Sequence, residues 1–300
     1  MQMDPSPHLE KIHGYLLEVF PPLVTKADAA PFLLGDAQVQ DYERDGFVSG
    51  VPVLEVDQIA ELRDRLDHFR NHARDYQEQL HEIEADWLLR PDEVIFHVLG
   101  LWMLEPLVHD LVFAPMVTVP LAQLLGVDRL RLWHDQVFYK PPHHAGLVPW
   151  HQDYSYWTRT APPGHISINI ALDDTNLENG CIHYVPGSHR WSLLPTASFG
   201  GSMDAVLEHL SAEQRDGFAP VAAPVRAGQA TIHHSHTLHG SWGNGSGQPR
   251  RALVLNYMAA DTRVADGSEP LLAGVPTLDE GALVEGDHFP IAFDSACLES

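Results

Sequence analysis

The stretch PWHQDYSYW, which begins at Pro149, sets His151 and Asp153 two residues apart inside a run of aromatic side chains. In an extended chain, residues i and i+2 point to the same face, so the imidazole and the carboxylate converge. Burying the two together is costly unless a charge lies between them. A divalent cation removes that cost. For an isolated H-x-D, a His–Asp hydrogen bond under an aromatic core is the plainer alternative, so a third donor has to be found. HTLHGSWGN offers one in His239, at the end of an expected strand and just before a Gly-rich loop. Two imidazoles and one carboxylate cap one face of an octahedron and leave three positions open, the donor set of non-heme Fe(II) oxygenases. A structural zinc site would close all four positions instead.

An oxidising iron of this kind holds a cosubstrate, and a cosubstrate carboxylate needs a cation. Arg250 follows His239 across the segment GSWGNGSGQP. If that segment turns the chain back, Arg250 opens the strand paired with the one that carries His239, and its guanidinium can grip a carboxylate through two hydrogen bonds. Arg250 and Arg251 point to opposite faces, so only one of them enters the interior. A solvated strand start is the alternative for the pair.

These residues need a scaffold of strands, and the second half of the chain reads that way. From Arg129 onward come RLRLWHDQVFYKPP, HISINIALDD, ENGCIHYVPGSH, GQATIHHSHTLHG and RRALVLNYM, separated by Gly, Pro and Asn turns. HISINIALDD alternates strictly. Ile166, Ile168, Ile170 and Leu172 form a greasy face for helices to cover, and Ser167 and Asn169 lie on the polar face toward a lumen. The first half is helical. Residues Leu9–Phe20 suggest a short helix in an otherwise irregular arm. DYERDGFVSGVPVL reads as helix, turn at Asp45-Gly46, and strand. Ile59, Leu62, Leu66 and Phe69 mark an amphipathic helix, and a further helical region runs from Leu101 to a stop at Gly126. Helices followed by many short strands predict a sandwich or barrel with a helical face.

The bulk numbers set limits on partners. The 300 residues, 44% of them hydrophobic, are ample for a core. With 18 Lys+Arg against 41 Asp+Glu, the net charge of −23 repels phosphate backbones and anionic membranes. Nucleic acid and membrane are therefore not expected partners. Two cysteines, Cys181 and Cys297, rule out a disulfide framework and a Cys-rich zinc site. No signal peptide or membrane span is apparent, so the expected compartment is the cytoplasm.

Taken in order, FYKPP, WHQDYSYW, ALDDTNLENGCIHYVPGSH, GQATIHHSHTLHGS and GNGSGQPRRALVLNYM resemble the phytanoyl-CoA dioxygenase family of Fe(II)/2-oxoglutarate oxygenases. The opening YERDGFVSGVPVLEVDQIAELRDRL matches more weakly. The resemblance implies a mainly β fold, a double-stranded β-helix (jelly roll, cupin-like) with N-terminal and flanking helices. It implies one oxygenase domain over residues 1–300: an arm at 1–36, a helical flank at 37–128, the jelly-roll core at 129–260 and a C-terminal extension at 261–300. It makes His151, Asp153 and His239 the ligands of Fe(II). Arg250 becomes the partner of the distal 2-oxoglutarate carboxylate, with Lys140 and Ser241 as further cosubstrate contacts. Asn169 falls at another such contact, which its place on the polar strand face supports independently. Gln136, on the same strand face as Lys140, is a weaker candidate. O2 is the second cosubstrate, and the expected reaction is hydroxylation of a small molecule with release of succinate and CO2. Asp153 matters to that outcome, because related halogenases carry a small residue at its position.

Alternatives remain beside this reading. Desaturation, ring closure and epimerisation use the same ligands. A metal-binding jelly roll without oxygenase activity would need no 2-oxoglutarate, and a zinc or manganese cupin-type isomerase or hydrolase would need neither Arg250 nor oxygen. Tyr154, Tyr156 and Trp157 are either core filler or the substrate pocket wall. His234 and His236 lie on the strand face opposite His239. His233 shares its face but sits about 20 Å back along an extended strand, out of reach of the same ion. His189 supports a turn, and His143 and His144 either gate the pocket or face solvent. The loops around 81–98 and 195–218 are expected to set substrate choice.

Overall fold

The computed structural model describes residues 8–91, 94–197 and 201–299. Its helices are α1 (Lys26–Ala29), α2 (Asp36–Asp45), α3 (Val56–His72), α4 (Ala85–Leu89), α5 (Pro106–Phe113), α6 (Pro115–Leu125) and α7 (Ala212–Asp216). Its strands are β1 (Phe47–Pro52), β2 (Glu82–Ile83), β3 (Phe96–Leu99), β4 (Arg129–Lys140), β5 (Val148–His151), β6 (Thr160–Ala161) and β7 (His165–Ala171). There follow β8 (His183–Tyr184), β9 (Val221–Ala222), β10 (Gln229–His234), β11 (His239–Ser241), β12 (Arg250–Ala259), β13 (Arg263–Val264) and β14 (Ile291–Asp294).

Among the described residues the strands form a large sheet ordered β1-β10-β7-β12-β4-β3-β2, with β14 also on β4, and a smaller sheet ordered β5-β11-β8-β9. Every pairing in them is antiparallel. This is the jelly roll, two sheets facing each other with the chain crossing between them. The alternation in β7 sorts its two faces. Ile166, Ile168 and Ile170 join Leu62, Leu66, Phe69, Leu107 and Leu111 of the helices in the main apolar core, while Ser167 and Asn169 face the other sheet.

Local chemistry sets the element ends. Gly46 closes α2 at φ 84°, a left-handed conformation that a glycine adopts without strain, and turns the chain into β1. The helical region after Leu101 is interrupted: Ala114 is extended at φ −66°, ψ 133°, and Pro115 restarts the helix as α6, which ends at Gly126. The span Pro106–Leu125 is long and apolar enough to cross a membrane, but 83% of it is buried inside the protein, as in a core helix.

Two expectations about elements need correction. Leu9–Phe20 is not a helix beyond the turn at Leu9–Lys11. The buried Asp110 carboxylate accepts the Leu16 and Leu17 N–H groups at 2.7 and 2.6 Å, and Tyr15 donates to the Phe113 carbonyl at 2.9 Å. Those tertiary bonds satisfy the backbone that a helix would otherwise serve. GQATIHHSHTLHG is also not one strand. It breaks after His234, and β10 and β11 lie in opposite sheets. The break is pinned by Thr237, whose hydroxyl donates to the Gly46 carbonyl at 2.7 Å, and by a turn bond from Thr237 N–H to the His234 carbonyl at 2.8 Å. As a result β12 pairs with β4 and β7, not with the strand that carries His239.

Candidate active site

The smaller sheet brings the metal-type donors together. His151 ends β5 and His239 begins β11, and the two residues are directly paired in register. Asp153 follows two residues after the end of β5, at the start of the 3-10 turn Asp153–Tyr156. Single donor atoms of His151, Asp153 and His239 all lie within 4.8 Å of one another. Asp153 Oδ1 is 3.4 Å from His151 Nε2 and 3.7 Å from His239 Nε2.

Which atoms are offered is fixed by the neighbours. The His151 Nδ1–H donates to the Pro149 carbonyl at 2.8 Å and the His239 Nδ1–H to the Thr237 carbonyl at 2.9 Å. A carbonyl only accepts, so both rings carry their proton on Nδ1 and present an Nε2 lone pair inward. Asp153 Oδ2 accepts from the Ser167 hydroxyl at 2.7 Å and from His233 Nε2–H at 3.0 Å, leaving Oδ1 for the cluster. Burial pushes the Asp153 carboxyl up, but His239, His151 and His233 together pull it well below the ordinary carboxylate range. Burial, then His151 and His233, hold His239 well below an ordinary imidazole. Two lone pairs and a carboxylate oxygen thus face one another in a buried pocket. That donor set fits a divalent cation, with the outer hydrogen bonds such ligands require.

His233 corrects a sequence expectation. Its ring centroid is 4.4 Å from that of His239 rather than about 20 Å, because the chain turns between β10 and β11. It holds Asp153 from behind and is itself held: Tyr184 donates its hydroxyl to His233 Nδ1 at 3.2 Å and lies 2.7 Å from the Thr231 hydroxyl. Ser167, the other residue on the back of Asp153, belongs to the polar face of HISINIALDD. That alternation was the signal that could have found it.

Two cavities flank the cluster. The smaller, about 50 Å³, is lined by Arg250, Ser241, Asn169 and Gln136 together with the three donors and His233. Arg250 is 4% exposed, has no ion pair among the described residues, and its Nε has no hydrogen-bond partner. Burial pulls its guanidinium down from the usual value. A buried guanidinium without a counter-ion fits an anionic ligand. Lys140 pairs with Arg250 across β4 and β12 but does not line this cavity. Its ammonium donates to the Ser241 hydroxyl at 2.8 Å and to the Trp242 carbonyl at 2.5 Å, and burial, then Arg250, lowers it well below an ordinary lysine. Since Ser241 Oγ accepts there, its own O–H is free to donate into the cavity. Arg251 points outward, bonded to Asp67 and Asp173 at 2.9 Å each.

The larger cavity, about 250 Å³, opens on the other side of His151 and Asp153. Tyr156 and Trp157 line it, with Phe138, Leu99, Glu82 and His97. Tyr154 does not; it packs with Trp133, Trp157 and Met258 and is core. Burial lowers His97 to about 4, and burial followed by His81 lowers the adjoining His134 to about 3, so both imidazoles are neutral donors or acceptors. His97 Nε2 lies 2.8 Å from Gln136 Oε1, and Gln136 borders both cavities. Of the two loops expected to shape the pocket, the first supplies Glu82 and His97 and the second Ala197; residues 92–93 and 198–200 fall outside the described residues. His143 and His144 line neither cavity. His144 is 4% exposed, and its Nδ1 accepts from Gly146 N–H at 3.0 Å. His234 and His236 are outside the donor cluster.

A jelly roll with two imidazoles and a carboxylate at its mouth defines the class of non-heme metal oxygenase folds. Within that class the chain belongs to the phytanoyl-CoA dioxygenase (PhyH) family, whose model matches residues 42–252. It is 32% identical over 51% of its length to 54% of a Stutzerimonas stutzeri protein named probable alpha-ketoglutarate-dependent hypophosphite dioxygenase. It is 30% identical over 59% of its length to 62% of the Bos taurus phytanoyl-CoA dioxygenase domain-containing protein 1. The chain thus spans about half to three fifths of these relatives. Among solved structures, the non-heme alpha ketoglutarate dependent carbocyclase SnoK from nogalamycin biosynthesis matches with a TM-score of 0.65 and 26% identity, over 90% of this chain and 99% of that one.

Proposed function

We propose that the protein is an Fe(II)- and 2-oxoglutarate-dependent dioxygenase that hydroxylates a small molecule. The observation that carries this reading is the juxtaposition around the small cavity of three converging acceptor atoms and a buried guanidinium that lacks a counter-ion. His151 Nε2, His239 Nε2 and Asp153 Oδ1 would hold the iron, and Arg250 the distal 2-oxoglutarate carboxylate, with the Ser241 hydroxyl beside it. When bound, iron, 2-oxoglutarate and O2 supply the oxidising chemistry, in which 2-oxoglutarate is split to succinate and CO2 while a substrate C–H becomes C–OH. The protein's part is to keep both histidines in one tautomer, to keep Asp153 ionised through Ser167 and His233, and to place a substrate carbon from the larger cavity against the cluster. Neither relative's printed substrate transfers directly. Hypophosphite and an acyl-CoA are anions, and among the described residues no Lys or Arg lines the larger cavity.

The test is succinate formation that requires Fe(II), 2-oxoglutarate and O2 together and is abolished in Asp153→Ala. Succinate without added iron, or undiminished in that variant, would contradict the reading. The likeness to a carbocyclase supports a second reaction on the same donor set, ring closure. Product mass separates the two: hydroxylation adds one oxygen, ring closure removes two hydrogens. For compartment we propose the cytoplasm, in keeping with two cysteines that are both unpaired.

A further inference from the structure

We propose that the larger cavity receives a substrate bearing a protonated amine, and that Glu82 is the residue that selects it. This deepens the oxygenase reading and rests on it. The cavity of about 250 Å³ suits a compact molecule, and its aromatic and aliphatic wall suits an apolar body. Its charges are one-sided. Among its lining residues there is no lysine or arginine, Asp153 is committed to the donor cluster, and His97 and His134 are buried neutral imidazoles. Among the described lining residues, Glu82 is the one formal charge left to meet a ligand.

Glu82 reaches the cavity because of its strand. In β2 it pairs with Leu99 of β3, and alternation sends its neighbour Ile83 into the main core while Glu82 turns to the cavity. Its carboxylate has no hydrogen bond or ion pair among the described residues. The nearby Glu84 is already used: its carboxylate accepts the Asp86 N–H at 3.1 Å at the head of α4. Glu82 is exposed at the rim of the cavity; desolvation by the packing around it, and then Glu84, still raise its carboxyl, so an ionised Glu82 gains from a cation beside it. Tyr156, half exposed at the rim, and Trp157 add π faces that attract an ammonium. A chain of net charge −23 also draws cations and repels anions on approach.

Three probes of matched size separate the charge classes: 2-phenylethylamine, 2-phenylethanol and 3-phenylpropionate. Each is titrated calorimetrically into the full chain loaded with Mn(II) and 2-oxoglutarate. A charge-assisted contact predicts that the amine binds at least about tenfold more tightly than the alcohol, with the acid weakest. Glu82→Gln, which keeps the shape, should bring amine and alcohol within about threefold of each other, and Glu82→Lys should make the acid the best ligand. The proposal fails if the wild-type protein binds the alcohol or the acid as well as the amine, if the amine shows no binding, or if Glu82→Gln leaves the preference intact. Failure of the underlying reading shows separately, as Mn(II)-loaded protein that does not take up 2-oxoglutarate in the preceding titration.

Discussion

Replacing Arg250 by methionine should weaken 2-oxoglutarate binding and, in the same variant, leave the ligand-free fold no less stable. The guanidinium is 4% exposed and has no counter-ion among the described residues. A bidentate, charge-assisted contact to a carboxylate is worth about 1.5–3 kcal/mol, a loss of about 10- to 150-fold in affinity. In the ligand-free protein the same substitution removes a buried, uncompensated charge, so stability should stay level or rise by about 1–4 kcal/mol. Thermal unfolding of Mn(II)-loaded protein reads both effects. At 2-oxoglutarate 100 times its dissociation constant, the wild type should gain about 2.7 kcal/mol, whereas a variant weakened a hundredfold gains only about 0.4 kcal/mol. Arg251→Met is the control. Its bonds to Asp67 and Asp173 at 2.9 Å lie on the outer face, so it should lose about 1–2 kcal/mol of stability and keep its 2-oxoglutarate affinity. If Arg250→Met binds 2-oxoglutarate within threefold of wild type, or if Arg251→Met is the variant that loses it, Arg250 is not the cosubstrate anchor.

Three other outcomes follow from the geometry. His239→Ala should abolish succinate formation and His236→Ala should leave most of it, since only the former sits in the donor cluster; the reverse ranking in a turnover assay would reassign the third ligand. His233→Ala should lower Mn(II) affinity by about 10- to 100-fold, measured by titration, because it strips one hydrogen bond from the back of Asp153; unchanged affinity would make His233 a packing residue only. Four buried imidazoles, His81, His97, His134 and His165, and the half-buried His234 are lowered from the ordinary 6.5 to about 3 or 4, in each case chiefly by desolvation. Below pH 6.5 the unfolded chain takes up protons that the folded one refuses. Stability should therefore be complete above about pH 6.5 and fall toward pH 4, each group adding up to about 1.4 kcal/mol per pH unit. A flat denaturation midpoint from pH 7 to 5 would contradict this.

The parts of the site legible in the sequence are those written in local periodicity or local motif. H-x-D at a strand end, the alternation of HISINIALDD and the step from Arg250 to Arg251 each fix a side-chain direction within two residues. His233 escaped because its distance was counted along one straight strand. A four-residue turn from Ser235 to Leu238 folds that distance away, and besides its own local bond it is held by the Gly46 carbonyl, far off in the chain. The same break moved the partner of β12 to the other sheet. Tyr154 and Trp157 look alike in sequence, yet only Trp157 borders the cavity. Both pack with Trp133 and Met258, contributed by distant strands, so which of the two also reaches a pocket depends on the tertiary fold and not on the local pattern. Glu82 and His97 had no local signature at all, since their place at the cavity comes from the pairing of β2, β3 and β4.

A crystal structure of the protein with Mn(II) and 2-oxoglutarate, grown without oxygen, would show whether the three donors and Arg250 hold metal and cosubstrate together. One metal ion should be bonded to His151 Nε2, His239 Nε2 and Asp153 Oδ1, with Asp153 Oδ2 still held by Ser167 and His233. The distal carboxylate of 2-oxoglutarate should lie on Arg250 in the small cavity. A metal held elsewhere, a ligand set that replaces His239 with His233, or 2-oxoglutarate seated away from Arg250 would contradict it.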